Sequence, residues 1–177
     1  MVESDAFRVF SVVAQGPEGS VVRERLPLRE YLEVVAATNF KQRSRKMMEY
    51  FHADRLNYIV LGTPNRLEYD QGFFVKNGDG AADIMPLTGL NKRQGAQLLE
   101  HLGAPPATWE KIPTADLEDD RPALPDEEAL GVSYEHIDDY LEGQDVPDAA
   151  RERIEHLWRI GQHKRHLPPG PHDTWWR

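Results

Sequence analysis

The sequence predicts an α/β chain built on an incomplete parallel sheet, and three observations predict it. Leu56-Asn-Tyr-Ile-Val-Leu61 is a short apolar run closed by Gly62-Thr63, the pattern of a buried parallel strand that opens into a loop. Helical periodicity precedes it: Tyr31, Leu32, Val34, Val35, Met47, Met48 and Phe51 recur at spacings of three and four between Arg29 and His52. The chain of 177 residues suffices for one domain with a sizeable core and is short for a two-domain enzyme.

Element by element, the N-terminal segment 1–28 is the hardest to read. Phe7-Arg-Val-Phe-Ser-Val-Val13 mixes aromatic and β-branched residues as a strand does, and Gly16-Pro-Glu-Gly-Ser20 is turn chemistry. The helical pattern after it is interrupted around Thr38 and Asn39, which fits two helices or one bent helix. After the 56–61 strand, Asn91 is placed to cap a helix running to about His101 with Leu98 and Leu99 inward, stopped by Gly103 and Pro105. Residues 113–128 read as an acidic, proline-containing mobile loop. Ser133 caps a short helix through Tyr140. Pro147 suits the first position of another, with Ile154, Leu157 and Trp158 on one face and Gly161 at its stop. The tail, 162–177, carries three histidines, three prolines and two tryptophans.

Composition removes several chemistries. With no cysteine there is no disulfide framework, Cys-ligated zinc, iron–sulfur cluster or thiol nucleophile within this sequence. The first residues, Met-Val-Glu-Ser-Asp, are acidic where a secretory leader is basic, and no apolar run reaches the ~20 residues of a membrane span, so a cytoplasmic location is expected. The net charge is −9, yet 13 acidic residues and only one basic residue, Arg121, lie between Asp116 and Asp148. That stretch holds −12, which leaves the rest of the chain at +3 and able to attract phosphates.

The glycines and charges of Gly72-Phe-Phe-Val-Lys-Asn-Gly-Asp-Gly-Ala-Ala-Asp83 are the most unusual stretch. Asn77-Gly78 is a turn signal whatever the function, but Lys76, Asp79 and Asp83 stand where glycines let a backbone approach a ligand. Ligands of open α/β sheets sit at the carboxyl ends of the strands, which directs attention to Glu68 and the residues after it. A carboxylate at Glu68 can hold Mg²⁺ that bridges nucleotide phosphates, or can be an exposed loop acid. Arg43, Arg45 and Lys46 can clamp an anion or form a solvated helix face. Lys92, at a helix start, adds its charge to the helix dipole as an anion site, or is a surface lysine. His163-Lys-Arg-His166 suits phosphate contact or a solvated tail better than a metal.

Taken in order, Asn39-Phe-Lys-Gln-Arg-Ser-Arg45, Val60-Leu-Gly-Thr63, Asn65-Arg-Leu-Glu68, the 72–83 segment, Pro86-Leu-Thr-Gly-Leu-Asn-Lys-Arg-Gln94, Pro113-Thr-Ala-Asp-Leu117, Asp126-Glu-Glu-Ala-Leu-Gly131, Tyr134 to Gly143 and His163-Lys-Arg165 resemble ammonia-dependent NAD synthetases from about residue 29 to the end. The resemblance implies an adenine nucleotide alpha hydrolase-like fold over 29–177. It implies ATP- and Mg²⁺-dependent amidation of nicotinic acid adenine dinucleotide by ammonia through an adenylate, with pyrophosphate and AMP released. It assigns Thr63, Lys92 and Thr114 to ATP, and Glu68 to Mg²⁺. Arg43, Lys76, Asp83, His163 and Lys164 fall to the dinucleotide.

One family feature has no counterpart in these residues. The Ser-Gly-Gly-x-Asp-Ser loop, whose amides cradle the ATP pyrophosphate and whose Asp completes the metal site, is absent, and Gly16-Pro-Glu-Gly-Ser20 lacks both its paired glycines and its acid. Loss of even one preorganised donor costs ~10² to 10³ in rate, so weak or no adenylation by this polypeptide alone is expected. A partner chain supplying that loop, or the homodimer usual in relatives of this kind, is the expected assembly. A non-catalytic dinucleotide-binding or regulatory subunit is the competing expectation, and nucleic acid is not an expected ligand.

Overall fold

The computed structural model describes residues 10–15, 18–110, 114–115 and 124–175. Residues 1–9, which include part of the N-terminal strand-like run, lie outside them, as do Gly16, Pro17, residues 111–113 and 116–123 of the acidic segment, and the terminal Trp176 and Arg177.

Strand β1 (Phe10–Gln15) pairs antiparallel with β2 (Val21–Leu26), Phe10 opposite Leu26 and Gln15 opposite Val21. Helix α1 (Leu28–Leu56) then runs unbroken for 29 residues. The interruption anticipated at Thr38 does not break it, because the Thr38 hydroxyl donates back to the Val34 carbonyl (3.1 Å) and so remains satisfied within the helix. Asn57, in the left-handed region at φ 57°, ends α1, with the Tyr58 N–H donating to the Ala53 carbonyl (2.8 Å).

The strand expected over 56–61 is much shorter than its apolar run. Leu56 belongs to α1, and the strand pairing itself is reduced to one parallel bridge between Leu61 and Ile84. The Asp83 and Ile84 N–H groups donate to the Val60 carbonyl, Gly62 N–H donates to Ile84, and the Asp83 carboxylate accepts from Val60 N–H (2.8 Å). Among the described residues no further strand joins this pairing. Val60 is buried, but Ile59 and Leu61 stay 58% and 60% exposed, so the run has the composition of a buried strand without its neighbours.

The core lies elsewhere, between helices. Leu67 of α2 (Arg66–Gln71), Leu130 of α5 (Asp126–Leu130), Ile137 of α6 (Tyr134–Leu141) and Ile154 of α7 (Asp148–Ile160) are the most completely buried apolar side chains. Asn65 caps α2 by a reciprocal box with Glu68, and Ser133 caps α6 by accepting from His136 N–H. Helix α3 (Lys92–His101) is capped by Asn91 in a box with Gln94, as its sequence requires. The periodicity of α3 predicts Leu98 and Leu99 inward, yet both are more than a third exposed, since its contact with α6 is polar. Short α4 (Pro106–Trp109) comes after α3. The two-residue strands β3 (Thr114–Ala115) and β4 (Leu124–Pro125) pair antiparallel across the acidic segment. Helix α8 (Gln162–Arg165) continues from α7 at Gly161.

Candidate functional site

Most of the predicted site residues gather in two groups at the two ends of helix α2. At its N-terminal end the Asn65 cap fixes Glu68 in the first turn, one carboxylate oxygen accepting from Asn65 N–H (3.1 Å). The other oxygen accepts from the Lys92 ammonium at 3.0 Å, so the predicted metal ligand and the predicted ATP cation form one ion pair. Lys92 also lies over the Tyr134 ring, 5.1 Å from its centroid. Tyr134 donates its hydroxyl to buried Asp126 (2.6 Å), and burial together with that acceptor pushes the phenol pKa far above its ordinary value. Thr63 stands two residues before the Asn65 cap, and Thr114 enters through its backbone, opposite Pro125.

At the C-terminal end, Gly72 takes φ 64° and leads into a loop that turns at Asn77 (φ 63°). Asp79 accepts from Val75 N–H (2.9 Å), so this acid stabilises the turn itself. The Arg43 guanidinium of α1 donates to the Lys76 carbonyl (3.1 Å), and Lys76 donates to the His163 carbonyl. Arg43, Lys76 and His163, spread over 120 positions, are therefore contiguous through backbone carbonyls. The His163 ring instead faces the Ile160 carbonyl (3.0 Å). Lys164 donates to the carbonyls of Gly72 and Phe74, both at 2.7 Å, and its burial lowers its pKa, an effect Asp79 opposes. Asp83 lies apart from this group, tying the Val60 backbone beside Tyr50.

Three supporting side chains stand within the quoted motifs but are not marked there as site residues. Arg165 donates to the carbonyls of Asp70 and Trp158 and lies over the Trp158 ring, fixing α8 on α2 and α7. Tyr134 and Asp126 are the others. Each opens a motif block, and the Ser133 cap fixes Tyr134 at the first position of α6 and so at the helix end that faces α3.

Among the described residues no group of three or more His, Asp or Glu is placed to hold a metal ion. Glu68, part-exposed and already holding a cation, fits one of the one or two carboxylates that Mg²⁺ takes from a protein, phosphates and water filling its other positions. A metal held by protein ligands alone does not fit.

Comparison with known proteins gives a consistent result. The family model described as NAD synthase matches residues 18–168. A curated NH(3)-dependent NAD(+) synthetase of Corynebacterium glutamicum is 62% identical over 140 residues, 78% of this chain and 50% of that protein. The corresponding protein of Deinococcus radiodurans is 49% identical over 165 residues, 93% of this chain and 58% of its own. The chain thus spans about half the length of the curated relatives it matches. Among solved structures, an NMN synthetase from Francisella tularensis superposes with a TM-score of 0.72 at 40% identity, over 79% of this chain and 58% of that one. A Burkholderia pseudomallei NAD+ synthetase superposes with 0.55 at 45% identity, over 73% and 48%. These neighbours bear out the α/β nucleotide-binding fold, of which the Leu61–Ile84 bridge is the parallel pairing present here. The ordered motifs and a family match across most of the sequence agree, and the chain belongs to the NAD synthase family.

Proposed function

We propose that this chain supplies the metal-side and dinucleotide-side residues for ATP-dependent amidation of nicotinic acid adenine dinucleotide to NAD, a ligase reaction that forms a C–N bond. The observation that carries the reading is the arrangement about α2: Glu68 and Lys92 pair at one end, and Arg43, Lys76 and His163 are linked at the other. A carboxylate is a poor acyl donor. In the first step its oxygen bonds to the α-phosphorus of ATP, the bond to the β-phosphate breaks, and pyrophosphate leaves. In the second, ammonia bonds to the acyl carbon, the acyl–phosphate bond breaks, AMP leaves, and the nitrogen gives up a proton to solvent.

The protein's share is to position two polyanions and offset their charge. Lys92, Thr63 and Thr114 contact ATP, and Glu68 holds Mg²⁺, which when bound neutralises phosphate charge. Arg43, Lys76, Asp83, His163 and Lys164 serve the dinucleotide, Lys164 also fixing the turn by its bonds to Gly72 and Phe74. The assembly is a homodimer or a complex with a chain that carries the pyrophosphate loop, and the setting is the cytoplasm.

The test is ATP–pyrophosphate exchange dependent on nicotinic acid adenine dinucleotide. Exchange by the chain mixed with a polypeptide carrying Ser-Gly-Gly-x-Asp-Ser, with little or none by the 177-residue chain alone, is the expected result. Dinucleotide binding with no exchange in either arrangement would establish the second reading, a binding or regulatory subunit. Within the first reading, Lys92→Ala is expected to weaken ATP binding about tenfold or more, as loss of a charge-assisted contact does. Unchanged ATP affinity in titration calorimetry would remove Lys92 from the nucleotide.

A further inference from the structure

We propose that Tyr134 is a positioning residue of the nucleotide side: its ring seats the Lys92 ammonium, and its hydroxyl fixes that seat to Asp126 at the end of the acidic segment. This inference rests on the reading of Lys92 as an ATP contact.

Lys92 opens α3 and Tyr134 opens α6, so two helix N-termini present their first side chains to each other. The ammonium lies 5.1 Å from the ring centroid and 3.0 Å from Glu68. It has three N–H donors. The carboxylate takes one, and the ring face attracts the charge without accepting a conventional hydrogen bond. Donors therefore remain for a phosphate. A second carboxylate in place of the ring would take another of the three donors, while an aliphatic residue would add no attraction beyond that of Glu68.

The ring is held at two points. The Tyr134 hydroxyl donates to Asp126 at 2.6 Å, where Asp126 is 7% exposed, and the Tyr134 N–H donates to the Glu127 carboxylate at 2.6 Å. Rotating the ring away from Lys92 breaks a buried, charge-assisted bond. Burial and Asp126 keep the phenol protonated, so it remains a donor and adds no negative charge beside a nucleotide. Asp126 directly succeeds Pro125, whose backbone pairs with Thr114. Tyr134 is thus linked through Lys92 to Glu68, and through Asp126 to the strand pairing that holds Thr114, the residues that the functional reading places on ATP and its metal.

Tyr134 also packs against the helical core, so the test must separate seating from packing. It uses Tyr134→Phe, Tyr134→Leu, Lys92→Met and the Leu–Met double variant in the full chain. The first readout, in the ligand-free protein, is the Lys92 ε-methylene NMR resonance. The expected result is an upfield ring-current position in the wild type and in Tyr134→Phe, lost in Tyr134→Leu. The second readout is the Kd for ATP, with folding verified for each variant by its denaturation midpoint. Tyr134→Leu is expected to raise Kd about tenfold, Tyr134→Phe about threefold, and Tyr134→Leu on the Lys92→Met background by less than about twofold, since the residue acts through Lys92. An unshifted Lys92 resonance in the wild type, or an ATP loss from Tyr134→Leu that persists at full size without Lys92, overturns the proposal. Failure of the wild type to bind ATP sinks the nucleotide reading instead, and the resonance then decides the seat.

Discussion

Two glycines set how closely α2 approaches the end of α7. A Cβ on Gly72 would stand 3.0 Å from Gly161 Cα, and one on Gly161 would meet the Leu157 carbonyl at 3.0 Å and Gly72 Cα at 3.2 Å. Gly72 additionally needs φ 64°, which L side chains seldom adopt. Gly72→Ala is therefore expected to cost about 2–3 kcal/mol, combining left-handed strain with backbone that cannot yield. A urea midpoint unchanged from wild type would contradict this. Gly89→Ala is the control, because nothing lies within 4 Å of the added carbon and φ there is not positive. At this scale the sequence is informative about which residues matter and silent about how they are used. Glu68 and Lys92 both stand out in it, but their pairing spans 24 positions and cannot be read from either. His163 reads as a basic side chain, whereas its carbonyl makes the contact with Lys76. His163→Ala keeps that carbonyl, so it should weaken dinucleotide binding less than Lys76→Ala does, by calorimetry on both variants.

Helix α3 illustrates what capping chemistry can and cannot convey. The Asn91 box and the start at Lys92 are dictated by local sequence, and both are present. What the helix packs against is not legible, since Leu98 and Leu99 face outward and the anchoring falls to ion pairs. Arg93 bonds Asp139 (2.7 Å) and Glu142 (3.0 Å), and Asp138 accepts from Arg93 N–H (2.8 Å). Asp138 is 3% exposed, and one of its oxygens has no hydrogen-bond partner. Burial raises its pKa, against the lowering effect of the α3 amides and Arg93. A carboxyl with a raised folded pKa binds more protons folded than unfolded. Its ionised form is thus a cost at neutral pH, relieved as the pH falls from the raised folded value toward the ordinary 3.8. Asp138→Asn, which keeps an oxygen for Arg93 N–H, should leave stability at pH 7 unchanged or increased and remove that acid-range component. Denaturant midpoints from pH 4 to 7 provide the check. A loss above about 2 kcal/mol at pH 7 would mean that the charge, rather than the acceptor, anchors α3.

Over the whole molecule, the apolar surface is distributed unevenly. The helical cluster around Leu67 and Ile137 is closed, whereas Phe40, Met47, Met48 and Phe51 of α1 and Tyr58, Ile59 and Leu61 beyond it are more than half exposed. The 56–61 run looks like a buried parallel strand because its composition answers to neighbours on both faces, and composition cannot reveal whether those neighbours lie within the same 177 residues. Surface of this kind promotes association. The isolated chain should self-associate in sedimentation as concentration rises, and Ile59→Glu, at a 58% exposed site, should reduce that association without altering the fold. Equal sedimentation of both proteins would place the sticky surface elsewhere.

The bonds on the two flanks of α2 close chain loops of very different size, with a consequence for the order of assembly. Lys92 meets Glu68 across 24 residues, whereas the links from Lys76, Lys164 and Arg165 back to their partners span 87 to 95. Closing the longer loops costs more entropy, and during synthesis their C-terminal members emerge last. A nascent chain synthesised through residue 100 already holds both partners of the shorter pairing. The longer links wait for residues 163–165, so truncation before residue 163 would remove them and spare the Glu68–Lys92 pair.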